Sequence, residues 1–141
     1  MYSINYMPPD PFAIAQEVSE KTGYQYEKIS DHVWKFLFTG RHMLEIDVLA
    51  VWQGQLFIFG AIVVSQQMLN GDKKLSNELL LLNNNLDRVK IGFNQENMLF
   101  VRSDISVRTL DFQEFKDNMD QVAAATDYIY GLIKPYLVSE R

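Results

Sequence analysis

The stretch of the chain from Leu56 to Val64 constrains the fold more than any other. It consists of Leu-Phe-Ile-Phe-Gly-Ala-Ile-Val-Val and carries neither a charge nor a hydroxyl group. Its β-branched and aromatic side chains favour a strand. Because alternate residues of a strand lie on opposite faces, both faces of this strand are apolar. We therefore expect a central strand, covered on one side by helices and on the other by more protein or by a second subunit.

A helix and two strands are predicted before this central strand. Asp10, as N-cap, and Pro11, at the first helical position, begin the helix. Residues 33–38 and 44–50 alternate apolar and polar side chains, so they predict two strands that form an antiparallel meander with the central strand. Residues 24–29 fit either a short edge strand or an extended lead-in.

A helix, a hairpin and a long closing helix are predicted after the central strand. Asp72 caps a helix whose leucines recur at spacings of three and four. These leucines are Leu75, Leu79, Leu82 and Leu86. Residues 88–93 and 98–102 predict a hairpin, and Asp111 caps a helix that we expect to extend to Leu137. The apolar seam of the last helix fits a coiled coil or a helix laid across the sheet, and the lack of charged flanking positions favours the second.

Composition narrows the class of protein. The chain has 141 residues, a formal net charge of −5 and no cysteine. Its length predicts an N-terminal arm, residues 1–10, and a single α+β domain, residues 11–141. Cysteine chemistry is excluded, and the acidic balance with scattered basic residues argues against a nucleic-acid or membrane partner. Since no signal peptide and no apolar run of membrane-spanning length is visible, we expect a cytoplasmic protein.

The predicted topology is an antiparallel five-stranded sheet with helices packed on it, in the order α-β-β-β-α-β-β-α. This order and a set of short motifs resemble the YbjN family and the wider type III secretion chaperone-like superfamily. The motifs are Leu79 to Leu82 with Asn83-Asn84-Asn85, Lys90 to Phe93, the turn Asn94 to Asn97, Leu99 to Asp104, and Asp127-Tyr128 in the closing helix. The resemblance implies a binding fold. Members of the chaperone branch are small acidic cytoplasmic homodimers that hold an extended segment of a client, and the YbjN branch includes regulator-like proteins without an established enzymatic activity.

No spacing of titratable residues indicates catalysis, a cofactor or a metal site. His32 and His42 fall in predicted turns on either side of one strand, without the shared helix face or carboxylate that a metal site needs. Glu45 and Asp47 share one face of a strand, and their outward alternation predicts a solvated face rather than an acid/base pair. We therefore expect a protein that is not an enzyme.

Three charged residues near the last helix have two interpretations. Arg102, Asp104 and Arg108 either pair with each other at the surface or anchor the carboxylate of a partner, because the arginine fork suits a carboxylate. Surface pairing is favoured, and such pairs contribute about 0–1 kcal/mol.

An excess of apolar surface indicates a partner. At 3.6 residues per turn, the four consecutive leucines 79–82 cannot all face one core. We expect a homodimer or partner interface that combines the second helix, the central strand and the two arginines: Leu75, Leu79, Leu80, Leu82, Leu56, Ile58, Arg102 and Arg108. Alternatively, the first or third helix covers this surface.

Two classes of function follow. The first is a chaperone-like or regulatory protein that captures a peptide or protein partner on its sheet or in a helical groove. The second is a small-ligand sensor or an enzyme with a closed pocket between the sheet and the last helix. The second class requires His32, His42, Glu45 or Asp47 to point inward. The absence of a catalytic spacing favours the first class.

Overall fold

The computed structural model describes residues 10–69 and 73–138. Within these two ranges the chain forms three helices, six strands and three short 3-10 turns. The helices are α1 (Pro11–Lys21), α2 (Lys73–Asn85) and α3 (Phe112–Ile133), and the strands are β1 (Gln25–Ser30), β2 (Val33–Phe38), β3 (Ile46–Gln53), β4 (Leu56–Ser65), β5 (Lys90–Phe93) and β6 (Met98–Ser106). The predicted cap at Asp72 and residues 1–9 of the predicted arm lie outside the described residues.

All six strands form one antiparallel sheet in the order β1-β2-β3-β4-β6-β5. The prediction of five strands in the order α-β-β-β-α-β-β-α is wrong, because residues 25–30 form β1 and pair with β2 along one edge. Every residue of β1 is exposed. An edge strand without a buried face shows no apolar alternation, so its sequence does not distinguish it from an extended lead-in. The predicted meander of β2, β3 and β4 is confirmed.

Helix termini follow their capping residues. The Asp10 carboxylate accepts the backbone N–H groups of Phe12 at 3.0 Å and Ala13 at 3.3 Å, and α1 begins at Pro11 as predicted. Asp111 caps α3 in the same way. The last helix ends at Ile133 rather than at Leu137, because Pro135 has no N–H to continue the helical hydrogen bonds.

One face of the sheet, the inner face, carries the core. Its side chains come from alternate positions of β2, β3, β4 and β6, and α1 and α3 contribute the opposite layer. The Phe115 ring meets Phe59 edge-on, with centroids 4.9 Å apart, and lies 5.0 Å from Phe57. Since α3 packs against β3, β4 and β6, the prediction of a helix laid across the sheet is confirmed.

The opposite face of the sheet, the outer face, is open. Leu49 on β3 is 40% exposed and Ile62 on β4 is 41% exposed, although both lie near the middle of the sheet. No helix among the described residues lines this face. The expectation that helices cover one face of β4 is therefore confirmed for the inner face. Cover of the outer face by a second subunit stays a prediction.

Candidate functional site: a groove on the outer face of the sheet

A groove of about 480 Å³ crosses the middle of the outer face. Its floor consists of side chains that antiparallel pairing places next to each other: Val51 beside Ile58, and Ile62 beside Phe100. Leu49 lies opposite Gly60. The floor is apolar because β3 and β4 carry aliphatic residues on both faces, and only their inner positions are buried by helices.

Gly60 deepens the groove at its centre. It pairs with Leu49 of β3 on one side and with Arg102 of β6 on the other, so a position between two side chains is empty. A Cβ atom at Gly60 would meet only the backbone oxygen of Val101 at 3.6 Å, which is an ordinary contact. The φ angle of Gly60 does not lie in the positive region that favours glycine. The backbone does not require glycine here, and the missing side chain leaves a depression in the floor of the groove.

Charged residues line the rim of the groove. The Arg102 guanidinium lies 3.3 Å from the Asp104 carboxylate, and the Lys90 ammonium lies 3.7 Å from it. The predicted surface pairing of Arg102 with Asp104 is thereby confirmed. Arg102 Nε is buried and has no hydrogen-bond acceptor among the described residues. On the other side of the groove, Lys35 pairs with Glu27 at 3.3 Å.

Residues 39–45, between β2 and β3, contribute the wall of the groove through Met43 and Glu45. A carboxylate of α3 holds this loop. Asp127 accepts the backbone N–H groups of Arg41 at 3.1 Å, His42 at 2.8 Å and Met43 at 2.9 Å. Burial on its own would raise the pKa of Asp127, but these hydrogen bonds stabilise the charged form and bring the pKa below its usual value.

The predicted interface residues divide between two surfaces. Ile58 and Arg102 line the groove, and Leu56 is exposed on the same outer face. Arg108 lies in the turn after β6, outside the residues that line the groove. Leu79 and Leu80 of α2 line a separate groove of about 220 Å³.

The second groove lies between α2 and β5. Ile91 and Phe93 of β5 form its other side, and Leu80 is 70% exposed. Part of the apolar surface of α2 is therefore exposed to solvent in this chain, as predicted.

Two of the predicted interface leucines do not offer a free surface. Leu75 is 4% exposed and belongs to the core, and Leu82 is partly buried against the core. The two leucines lie on the helix side that faces the sheet.

The titratable residues of the alternative function do not point inward. His32 is exposed in the turn between β1 and β2 and stacks on Trp52 with ring centroids 4.6 Å apart. His42, Glu45 and Asp47 are exposed, and the two carboxylates lie at the rim of the outer groove. Fully buried aromatic and aliphatic side chains fill most of the space between the sheet and α3, where this alternative needs a pocket. An open cleft of about 420 Å³ remains at one end of this space, where Phe38 and Ile46 of the sheet face Asp120 and Asp127 of α3, and none of the four titratable residues named above lines it.

Residues 10–69 and 73–138 lack a metal-binding cluster and a membrane-spanning helix. These residues contain no cluster of three or more histidine, aspartate or glutamate side chains placed to hold a metal ion. None of the described helices combines the length and apolar character that crossing a bilayer requires.

Sequence reasoning missed two features of the site. The empty position at Gly60 and the contact of Asp127 with the loop depend on register and on helix docking, which a single sequence does not reveal. Two glycines, Gly40 and Gly131, are the weak sequence indication of the contact between Asp127 and the loop. A Cβ at Gly40 would collide with the Asp127 carboxylate, and one at Gly131 would lie 2.7 Å from the His42 ring.

Comparisons with known proteins identify the fold. No protein-family model matches the chain, and no curated protein matches it in sequence. Among solved structures, a chain of the ExsC–ExsE complex is 12% identical, with a TM-score of 0.67, and the match covers 92% of this chain and 95% of that one. YbjN from E. coli, named as a candidate transcription regulator, is 12% identical with a TM-score of 0.62, covering 95% of this chain and 99% of YbjN.

A further match is a chain of the HopA1–SchA chaperone–effector complex, which is 11% identical with a TM-score of 0.60. It covers 84% of this chain and 91% of that chain. At these identities the comparisons establish the fold. The resemblance predicted from the sequence is confirmed at that level: the chain has the fold of YbjN, which chains of the ExsC–ExsE complex, the HopA1–SchA chaperone–effector complex and the type III secretion complex ExoU–SpcU share.

Proposed function

We propose that this protein is a non-enzymatic, cytoplasmic binding protein that captures a peptide or protein partner in the groove on the outer face of its sheet. In this proposal it acts as a chaperone or as a regulator. The observation that carries the proposal is the open groove itself. An apolar floor in the middle of a sheet, without a helix of the described chain above it, is the kind of surface that marks an interaction site.

The chemistry of the groove supports binding rather than turnover. Its floor is aliphatic and aromatic, and its charged residues lie on the rim, where Arg102 and Lys35 already pair with carboxylates. An apolar floor with a polar rim is typical of a protein interface. The structural neighbours support the same class of function, since one is a chain of the HopA1–SchA chaperone–effector complex and another comes from the complex of the type III secretion chaperone SycH with a fragment of YscM2.

We also propose a homodimer through the α2 surface, formed by Leu79, Leu80 and Phe93. Leu80 and Phe93 are exposed on adjoining elements, and most side chains that line the groove between α2 and β5 are apolar. A self-complementary patch of this kind suits a twofold contact between identical chains. This arrangement leaves the outer groove free for a different partner.

The dimer is tested by the mass in solution, measured by size-exclusion chromatography with light scattering. We expect a mass near twice 16.4 kDa and a shift to the monomer mass for Leu80→Ser. Leu132→Ser, which changes an exposed leucine of α3, is the matched control and should leave the dimer intact. A monomer at every concentration would contradict the dimer, but it would leave the groove proposal standing.

The groove is tested with Gly60→Val, which fills the central depression with a side chain that a strand accommodates well. The probe is a set of peptides selected on the wild-type protein from a phage-displayed random library. We expect Gly60→Val to keep the wild-type melting temperature or raise it, and to lower the affinity for these peptides at least tenfold. Leu132→Ser should bind like the wild type. Equal affinity of Gly60→Val and the wild type would show that the groove is not the binding site.

A further inference from the structure

We propose that Asp127 is a positioning residue of this binding site: from α3, which covers the inner face, it fixes the loop of residues 39–45 that forms the wall of the groove on the outer face. The inference rests on the proposed function. It assigns a binding role to a residue that does not line the groove.

The contact between Asp127 and the loop uses both carboxylate oxygens. Oδ1 accepts the N–H groups of His42 and Met43, and Oδ2 accepts the N–H group of Arg41. Three consecutive backbone donors therefore converge on one carboxylate, at distances between 2.8 and 3.1 Å. Hydrogen bonds to an ionised acceptor are stronger than neutral ones, and three donors in a row define the backbone conformation of the loop.

The local backbone turns these donors toward α3. The Gly40 N–H donates to the Met43 carbonyl at 2.9 Å and closes a tight turn around the carboxylate. Two glycines allow the close approach: a Cβ at Gly40 would collide with the Asp127 carboxylate, and a Cβ at Gly131 would lie 2.7 Å from the His42 ring. Loop and helix thus approach each other closely at two positions, Gly40 against Asp127 and His42 against Gly131.

The loop carries apolar surface to the edge of the groove. Met43 and Glu45 line the groove wall, and Leu44 between them is 72% exposed, the largest exposed fraction among the large hydrophobic residues of the described chain. Residues 39–45 form no strand or helix of their own. A partner that bound an unanchored loop would have to order it, and this ordering would reduce the affinity. Asp127 orders the loop before the partner arrives.

Three substitutions test the inference. Asp127→Ala removes all three acceptor contacts, and Asp127→Asn keeps a neutral oxygen that can still accept from His42 and Met43. Gly40→Ala leaves the carboxylate in place but pushes the loop away from it. The matched control is Asp117→Ala on the same helix, because the Asp117 carboxylate accepts from the side chain of Gln113 rather than from the loop.

The probe is again the set of peptides selected on the wild-type protein. We expect Asp127→Ala and Gly40→Ala to weaken peptide binding about tenfold, with Asp127→Asn in between and Asp117→Ala unchanged. Amide hydrogen exchange supplies the readout that a general loss of stability would not give. The amides of residues 41–43 should exchange faster in Asp127→Ala, whereas those of Val48 and Phe59 in β3 and β4 keep their wild-type protection.

The outcomes separate this inference from the proposed function. If Asp127→Ala frees the loop in the exchange experiment and the peptides still bind like the wild type, the inference is overturned, while an effect of Gly60→Val would uphold the groove. If Gly60→Val has no effect, the proposed function itself fails. Should Asp127→Ala not fold, Asp127→Asn and Gly40→Ala decide the question at a temperature where their far-UV circular dichroism is native.

Discussion

The two faces of β4 contain the same kind of residue but have different neighbours. On the inner face, Phe57 and Phe59 are fully buried beneath α3. On the outer face, Leu56, Ile58 and Ile62 form the floor of an open surface. The apolar residues of a strand therefore indicate how much of its surface must be shielded from water. They do not show whether the same chain supplies that cover.

The two faces of the sheet also differ in shape. Aromatic rings fill the inner face. Among its polar groups, the Ser103 hydroxyl donates to the Asn118 side chain at 3.0 Å and Thr126 donates to its own helix, whereas the buried Trp34 Nε1 has no acceptor among the described residues. The outer face has smaller aliphatic side chains, and Gly60 leaves a gap among them. A filled layer stabilises the fold, and a layer with a gap can accept a partner.

The largest effect is expected on the inner face, from Phe59→Ala. The ring of Phe59 contacts Phe57 and Phe115 and has no exposed surface. Its removal leaves a cavity that the surrounding rings cannot fill, so we expect a loss of about 3–5 kcal/mol in the free energy of unfolding. Urea denaturation measures this loss. A loss below about 1 kcal/mol would mean that the inner face is not the rigid layer described above.

A smaller effect is expected at Asp127, which connects the two faces. Hydrogen bonds to a charged acceptor contribute about 1.5–3 kcal/mol each when buried. Because this carboxylate is only partly buried, we expect Asp127→Ala to lower the free energy of unfolding by about 2 kcal/mol in total at neutral pH. Denaturation at pH 7 measures the difference, with Asp117→Ala as the control that should remain near the wild type.

The pH dependence of stability isolates the charge of Asp127. The pKa of Asp127 in the folded protein lies below the ordinary value of an aspartate, so the unfolded state binds the proton more readily. The stabilisation is therefore complete above the unfolded pKa and is lost as the pH falls through the folded pKa. In acid denaturation below about pH 4, the wild type should lose stability more steeply than Asp127→Asn. Parallel curves for the two proteins would contradict the role of the charge.

Periodicity and capping predicted much of the architecture. The first helix, its cap at Asp10 and the meander of three strands follow from local patterns, and the structure contains them. β1 could not be predicted with certainty because an edge strand exposed along its whole length carries no burial pattern. Helix caps and the alternation of apolar and polar residues are visible in the local sequence. A strand that is exposed on both faces lacks this alternation, on which a strand prediction depends.

The candidate site was predictable only in part. Ile58 and Arg102 were expected at an interface, and they line the groove. Leu75 was expected there too, but it is buried, because a leucine stripe does not show which of its members face the core. The loop contact of Asp127 spans more than eighty residues of chain. Such a contact depends on how a helix docks, which no local pattern encodes.

The smallest effect on stability is expected on the outer face, from Ile62→Ser. This side chain is 41% exposed and packs beside Phe100 on one side only. We expect the free energy of unfolding to fall by less than about 1 kcal/mol, mainly through lower β-propensity. Peptide binding should fall clearly, because the substitution replaces part of the groove floor with a hydroxyl. Phe59→Ala would then weaken folding and Ile62→Ser would weaken binding, although the two residues lie three positions apart on one strand. If Ile62→Ser instead destabilised the fold as much as Phe59→Ala does, the outer face would belong to the structural core, and the division of β4 into a folding side and a binding side would be wrong.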